Sequence, residues 1–136
     1  MATTNATISV NSDIMSYPVR INKTMTMKKL ASCHGLEETS GLNIKKFTAT
    51  AAVKLVDNTE GTAGKASKVY IRNTGSDKAN FFYVALANGA AASDSTETIG
   101  RLHGGDWMLI PWAATAATTH DIHVAPSTTS TMTLEY

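Results

Sequence analysis

Apolar and polar residues alternate along this chain with a period of two far more often than they recur at helical spacing. The clearest run is Tyr17 to Leu30, YPVRINKTMTMKKL, in which Val19, Ile21, Met25 and Met27 take odd positions and Arg20, Asn22, Thr24 and Thr26 even ones. Successive side chains of an extended chain point to opposite faces, so the pattern predicts a strand with one face to a core and the other to water or a partner. A shorter strand is expected before it, over Thr7 to Val10. Residues 31 to 43 read as a loop with a short helical turn around Leu36 to Thr39. Lys45 to Val56, KKFTATAAVKLV, reads as one strand with Phe47, Ala49, Ala51, Val53 and Leu55 on one face. Its alanines would also suit a helix, but the turn cluster Asp57 to Gly64 follows at the spacing of a meander.

Further on, KVYIRN (Lys68 to Asn73) and FFYVALA (Phe81 to Ala87) predict strands in a sheet interior, and Asn88 to Ser95 predicts a surface loop of small residues. Thr96 to Leu102 and Asp106 to Pro111 are expected to face each other across His103-Gly104-Gly105, since glycine supplies the positive φ of a tight hairpin. His120 to Val124 and Thr129 to Tyr136 complete the set, with Pro126 as the break between them. The prediction is therefore all-β: a jelly-roll-like antiparallel β sandwich of about eight strands, in a single domain over 1–136. Polar residues 1–13 form an N-terminal arm in this reading, reaching toward a neighbour or mobile until bound.

Composition narrows the partners. Twelve basic residues against eleven acidic leave a net charge of +1, without the electrostatic footprint of a nucleic-acid or anionic-membrane binder. The single cysteine, Cys33, excludes an internal disulfide, so packing, hydrogen bonds or assembly must stabilise the fold. The start, MATTNATISVNSD, lacks the basic and apolar regions of a secretory signal, and no apolar run approaches the ~20 residues of a membrane helix. The glycosylation-type triplets at Asn5 and Asn22 are read as chance in a threonine-rich chain.

Candidate chemistry is thin. GGDWMLIPW, residues 104 to 112, looks like the turn-and-strand punctuation of metal-binding cupin barrels, but such a metal site needs a close histidine pair with a carboxylate on one inner sheet face. Here His34 stands alone in a loop, His103 sits at the turn, and His120 and His123 are three apart, on opposite faces of one strand and near its edge. Cys33-His34 lacks a nucleophile elbow, and Glu37-Glu38 reads as a solvated pair. Lys28-Lys29 and Lys45-Lys46 are too short for a nucleic-acid patch, and GTAGK, residues 61 to 65, lacks phosphate-loop spacing. No catalytic, cofactor-binding or metal residue is assigned.

The tryptophans carry more information. In a regular strand over Asp106 to Pro111, Trp107 and Leu109 share one face while Met108, Ile110 and Trp112 share the other, so neither face is polar. One face can fill a core; the other needs a second sheet, a loop or another subunit.

The strings KVYIRNTGS, FFYVAL, TIGRLHGGDWMLIPW and DIHVAPSTTSTMTLEY resemble a family of small capsid decoration, or cement, proteins of tailed phages, including phages of cyanobacteria. The resemblance covers residues 66 to 136 well and the rest loosely. It implies a non-enzymatic jelly roll on the outside of a phage head, made in the host cytoplasm and partnered by the major capsid protein and by itself as a homotrimer. No cofactor, nucleic acid or membrane is implied. Trp107, Trp112 and Tyr136 are the expected subunit or capsid contacts. The alternative function is a virion-associated receptor- or carbohydrate-binding module.

Overall fold

A computed structural model of the chain describes residues 3–12, 19–28, 40–60, 66–86, 98–113 and 120–136. Its contacts divide the chain into two compact units, residues 1–39 and 40–136.

The first unit holds a two-stranded antiparallel ribbon, β1 (Thr3–Ser12) and β2 (Val19–Lys28), in unbroken register from Thr3 opposite Lys28 to Ser12 opposite Val19. β2 lies within the stretch expected from alternation. β1 is longer than Thr7 to Val10 and takes up most of the residues read as an arm. Its outer Thr, Asn and Ser residues carry no hydrophobic signal, yet they pair across the ribbon, as in the 2.9 Å hydroxyl contact between Thr7 and Thr24.

The second unit contains eight strands: β3 (Ile44–Phe47), β4 (Val53–Val56), β5 (Ala66–Asn73), β6 (Phe81–Leu86), β7 (Thr98–His103), β8 (Trp107–Ala113), β9 (Ile122–Pro126) and β10 (Met132–Glu135). They pair as nested partners, β3 with β10, β4 with β9, β5 with β8 and β6 with β7. The resulting sheets have the orders β3-β10-β5-β8 and β4-β9-β6-β7. An antiparallel hairpin rolled up on itself gives this arrangement, which is the jelly roll. The fold class read from the sequence holds: all-β, antiparallel, with eight strands in the sandwich.

Two local expectations are corrected by that topology. Lys45 to Val56 is not one strand: β3 and β4 belong to opposite sheets, and the small residues 48–52 carry the chain across. Phe47 and Leu55, read as neighbours on one face, both reach the core, but from opposite sides. Likewise β7 and β8 do not pair as a hairpin. Gly105 has φ 87° at the third position of the turn that closes with Asp106 N–H donating to the His103 carbonyl at 2.8 Å. A positive φ at that position suits an ordinary type II turn, which splays its flanking strands instead of matching their twist. Here it sends them to different sheets.

All eight strands feed one core, which includes Phe47, Leu55, Ile71, Phe82, Leu102, Trp112, Val124 and Leu134. Phe47 from one sheet meets Phe82 from the other edge to face, with centroids 5.1 Å apart. β5 and β6 are interior strands, as their composition predicts.

Candidate functional site

The alternation in β8 sorts its side chains as expected. Met108 and Ile110 pack against the core, Trp112 lies within it, and Trp107 remains 48% exposed on the outer face. In the register with β5, Arg72 stands opposite Trp107, Tyr70 opposite Leu109 and Lys68 opposite Pro111. Directly opposite residues project to the same face, so the outer surface of this sheet carries a basic and aromatic row beside an aromatic and apolar one. The Tyr70 and Trp107 rings lie 6.5 Å apart with a 36° tilt. The Tyr70 hydroxyl donates to Glu135 Oε1 at 2.9 Å, which orients the ring. Burial and then the Glu135 carboxylate push the Tyr70 phenol above its ordinary pKa, so it stays a donor at neutral pH. Tyr70, Arg72, Gly105 and Trp107 line a wide hollow of about 490 Å³.

The opposite sheet has its own aromatic cluster at the β6–β7 edge. Arg101 lies over the rings of Phe81 and Tyr83, 4.9 and 5.3 Å from their centroids, and Phe81 also meets His103 at 5.0 Å. This is the geometry of cation–π packing, in which the guanidinium covers apolar surface while staying wet.

Between the sheets, the glycine corner is structural. Asn73, almost fully buried, donates from Nδ2 to the Leu102 carbonyl at 3.0 Å and accepts from the Gly75 N–H at 3.0 Å. Its backbone exchanges bonds with Asp106 and Gly105. Lys78 Nζ donates to the Gly104 carbonyl, and His103 Nδ1 contacts the Lys78 carbonyl at 2.8 Å. A carbonyl only accepts, so His103 carries its proton on Nδ1. A Cβ on Gly104 would stand 2.4 Å from the Asp77 carbonyl oxygen. The Gly-Gly-Asp element therefore binds the β7–β8 corner to the loop before β6 and presents no reactive group.

The remaining candidates separate. Trp112 is buried, its indole N–H donating to the His120 carbonyl at 2.6 Å, and Tyr136 is half-buried against the core. Of the three aromatic contacts expected, Trp107 alone is exposed. His123 does not lie at a sheet edge: β9 is an interior strand, and the ring is buried with Nε2 lacking a hydrogen-bond partner. A second polar cluster joins β4 to the start of β9, where Lys54 Nζ contacts Asp121 Oδ2 at 2.7 Å and Asp57 Oδ2 at 2.9 Å. Lys54 and then the Asn58 N–H hold the Asp121 carboxyl below its usual range, while the Thr59 N–H and Lys54 bring Asp57 down to about 2. These bonds fix a turn. Cys33, His34, Glu37, Glu38, Lys29 and residues 61–65 lie outside the described residues. Among the described residues, no three of His, Cys, Asp and Glu gather as a metal would require.

Tyr70 and Arg72 are the part of the exposed face that sequence reasoning missed. Their signal was present: in KVYIRN, Val69 and Ile71 alternate with Lys68, Tyr70 and Arg72, so three outward side chains of mixed aromatic and basic character could be read off. Compared with protein-family models, curated proteins and solved structures, the chain matches none.

Proposed function

We propose that this chain is a capsid decoration protein, binding the outer surface of a phage head as a homotrimer and stabilising contacts between major capsid protein subunits. The observation that carries the reading is the outer face of the β3-β10-β5-β8 sheet. Trp107, Tyr70 and Arg72 sit side by side there, across the β5–β8 pair. Trp, Tyr and Arg are the side chains that dominate protein interfaces: the two aromatic rings supply large contact area at low entropic cost, and the guanidinium adds directed hydrogen bonds and stacking. The resemblance of residues 66–136 to tailed-phage cement proteins points the same way. Action would be thermodynamic: a protein that binds the assembled shell and not its loose precursor stabilises the shell by mass action, and many copies on one shell reinforce each other.

The test is co-sedimentation of the purified chain with heads of the phage that encodes it. Bound copies should raise the temperature at which heads rupture, and Trp107→Ala should weaken binding. Heads that keep their full native stability while carrying no copy would end the proposal.

A second reading, a receptor- or carbohydrate-binding module on a virion, draws on the same exposed indole, since an aromatic ring bordering a hollow of this size can stack on a sugar. Trp107 fluorescence that responds to a member of a glycan panel would favour it; an indifferent panel would remove it.

A further inference from the structure

The ribbon of the first unit sorts its side chains onto a mainly apolar and a polar face. Its register places Ile8 opposite Lys23 and Val10 opposite Ile21. With Ala6 two residues before Ile8, these side chains share one face, because opposite and i, i+2 residues project to the same side. Asn5, Thr7, Ser9 and Asn11 share the other with Arg20, Asn22 and Thr24. The apolar face is open: Ile8 is 39% exposed, and Val10 and Ile21 are 45% exposed. A two-stranded ribbon has no interior of its own, and an isolated hairpin is only marginally stable in water. A largely apolar face of this kind gains most of its stability from whatever covers it.

Charge selects the cover. The two strands hold Arg20, Lys23 and Lys28 and no carboxylate. Lys23 stands within the apolar face. Stacking the apolar faces of two copies would bring Lys23 of each into the contact, while neither strand offers a carboxylate to pair with it, an arrangement that disfavours self-association. Nucleic acid offers anions but no apolar counterpart for Ile8, Val10 and Ile21. A protein surface with an apolar strip bordered by Asp or Glu satisfies both requirements.

We infer that the face formed by Ala6, Ile8, Val10, Ile21 and Lys23 docks onto an apolar, acidic strip of a partner protein. Resting on the decoration reading above, that strip lies on the phage head. The ribbon then forms a contact separate from the Trp107 face, and Lys23 gives it its dependence on salt.

The experiment uses the full chain and heads of the encoding phage assembled without it, in a sedimentation titration at two salt concentrations. Ile8→Thr/Val10→Thr/Ile21→Thr keeps β-branched residues while removing the apolar face; Lys23→Glu reverses the charge; Asn22→Thr on the polar face is the control. Both tryptophans lie in the roll, so thermal unfolding followed by their signal checks that the roll is intact. The triple variant and Lys23→Glu are each expected to bind about tenfold more weakly or worse, with Lys23→Glu also reversing the salt dependence, while Asn22→Thr binds normally. Wild-type binding that both variants retain in full would overturn the docking inference and leave the decoration reading intact. So would self-association of the wild type that the triple variant abolishes, or Lys23-dependent binding to phosphatidylserine vesicles. No binding of the wild type to heads would overturn the decoration reading and this inference with it.

Discussion

The roll and the ribbon are both built from strands in which apolar and polar residues alternate, yet they meet the hydrophobic requirement in opposite ways. In the roll, each of eight strands sends apolar side chains into one shared core, and Ile71, Phe82, Val84, Ile122, Val124 and Leu134 are fully buried. In the ribbon, the equivalent side chains, Ile8, Val10 and Ile21, stay about two-fifths exposed. Alternation alone thus creates a face; enclosure requires a second sheet to close over it. The roll has that second sheet. What the ribbon teaches is that the same alternating signal can describe an enclosed core or a face that stays partly exposed.

The comparison can be broken most forcefully at Phe82, which touches the core from the centre of its sheet. Phe82→Ala should cost about 3–5 kcal/mol in urea denaturation, the usual range for emptying a buried aromatic site. A loss of only a few tenths would mean the roll is not where stability resides. A somewhat smaller loss, about 1–3 kcal/mol, is expected of Gly104→Ala, because the new methyl must push the Asp77 backbone away and disturb the corner that joins the sheets. Measured on the same denaturation curve, a neutral result there would show that the corner yields freely.

Acid provides a finer probe. The Asp57 carboxyl is held at about 2 against an ordinary 3.8, and Asp121 is also lowered. A carboxyl depressed by folding adds stability above its unfolded pKa and loses it as the pH falls through the folded value. The melting temperature should therefore decline modestly between pH 4 and about 2, and Asp57→Asn should remove part of that decline. Asp57 and Lys54 are well exposed, so water screens the pair and the effect is small. An acid profile identical in Asp57→Asn and wild type would contradict the assignment.

The smallest effect is expected in the ribbon. Ile8 is 39% exposed, so Ile8→Thr should change the tryptophan-monitored stability of the roll by no more than about 0.5 kcal/mol. A large loss would show that the ribbon's apolar face contributes to the roll's stability.

Much of the candidate face was legible in advance. Trp107 was singled out because β8 is apolar on both sides, and the partition of Met108, Ile110 and Trp112 away from it follows from the period of two. Tyr70 and Arg72 could be recognised as outward-facing, but nothing local could place them beside Trp107, since that depends on the register between strands separated by more than thirty residues. Trp112 shows the converse: as an aromatic side chain near the end of the strand it read as a contact, whereas the sandwich encloses it and gives its N–H the His120 carbonyl.

What the amino-acid order settled by itself was local: extended segments where β-branched and aromatic residues alternate with polar ones, the turn at His103-Gly104-Gly105, and the division of a strand's side chains between two faces. Which strand joins which sheet was a tertiary matter. KKFTATAAVKLV and the segment around His103-Gly104-Gly105 both look continuous or self-pairing in isolation, yet each crosses from one sheet to the other. Pleating is a property of neighbouring residues, while enclosure of a shared core depends on distant strands that no short window contains.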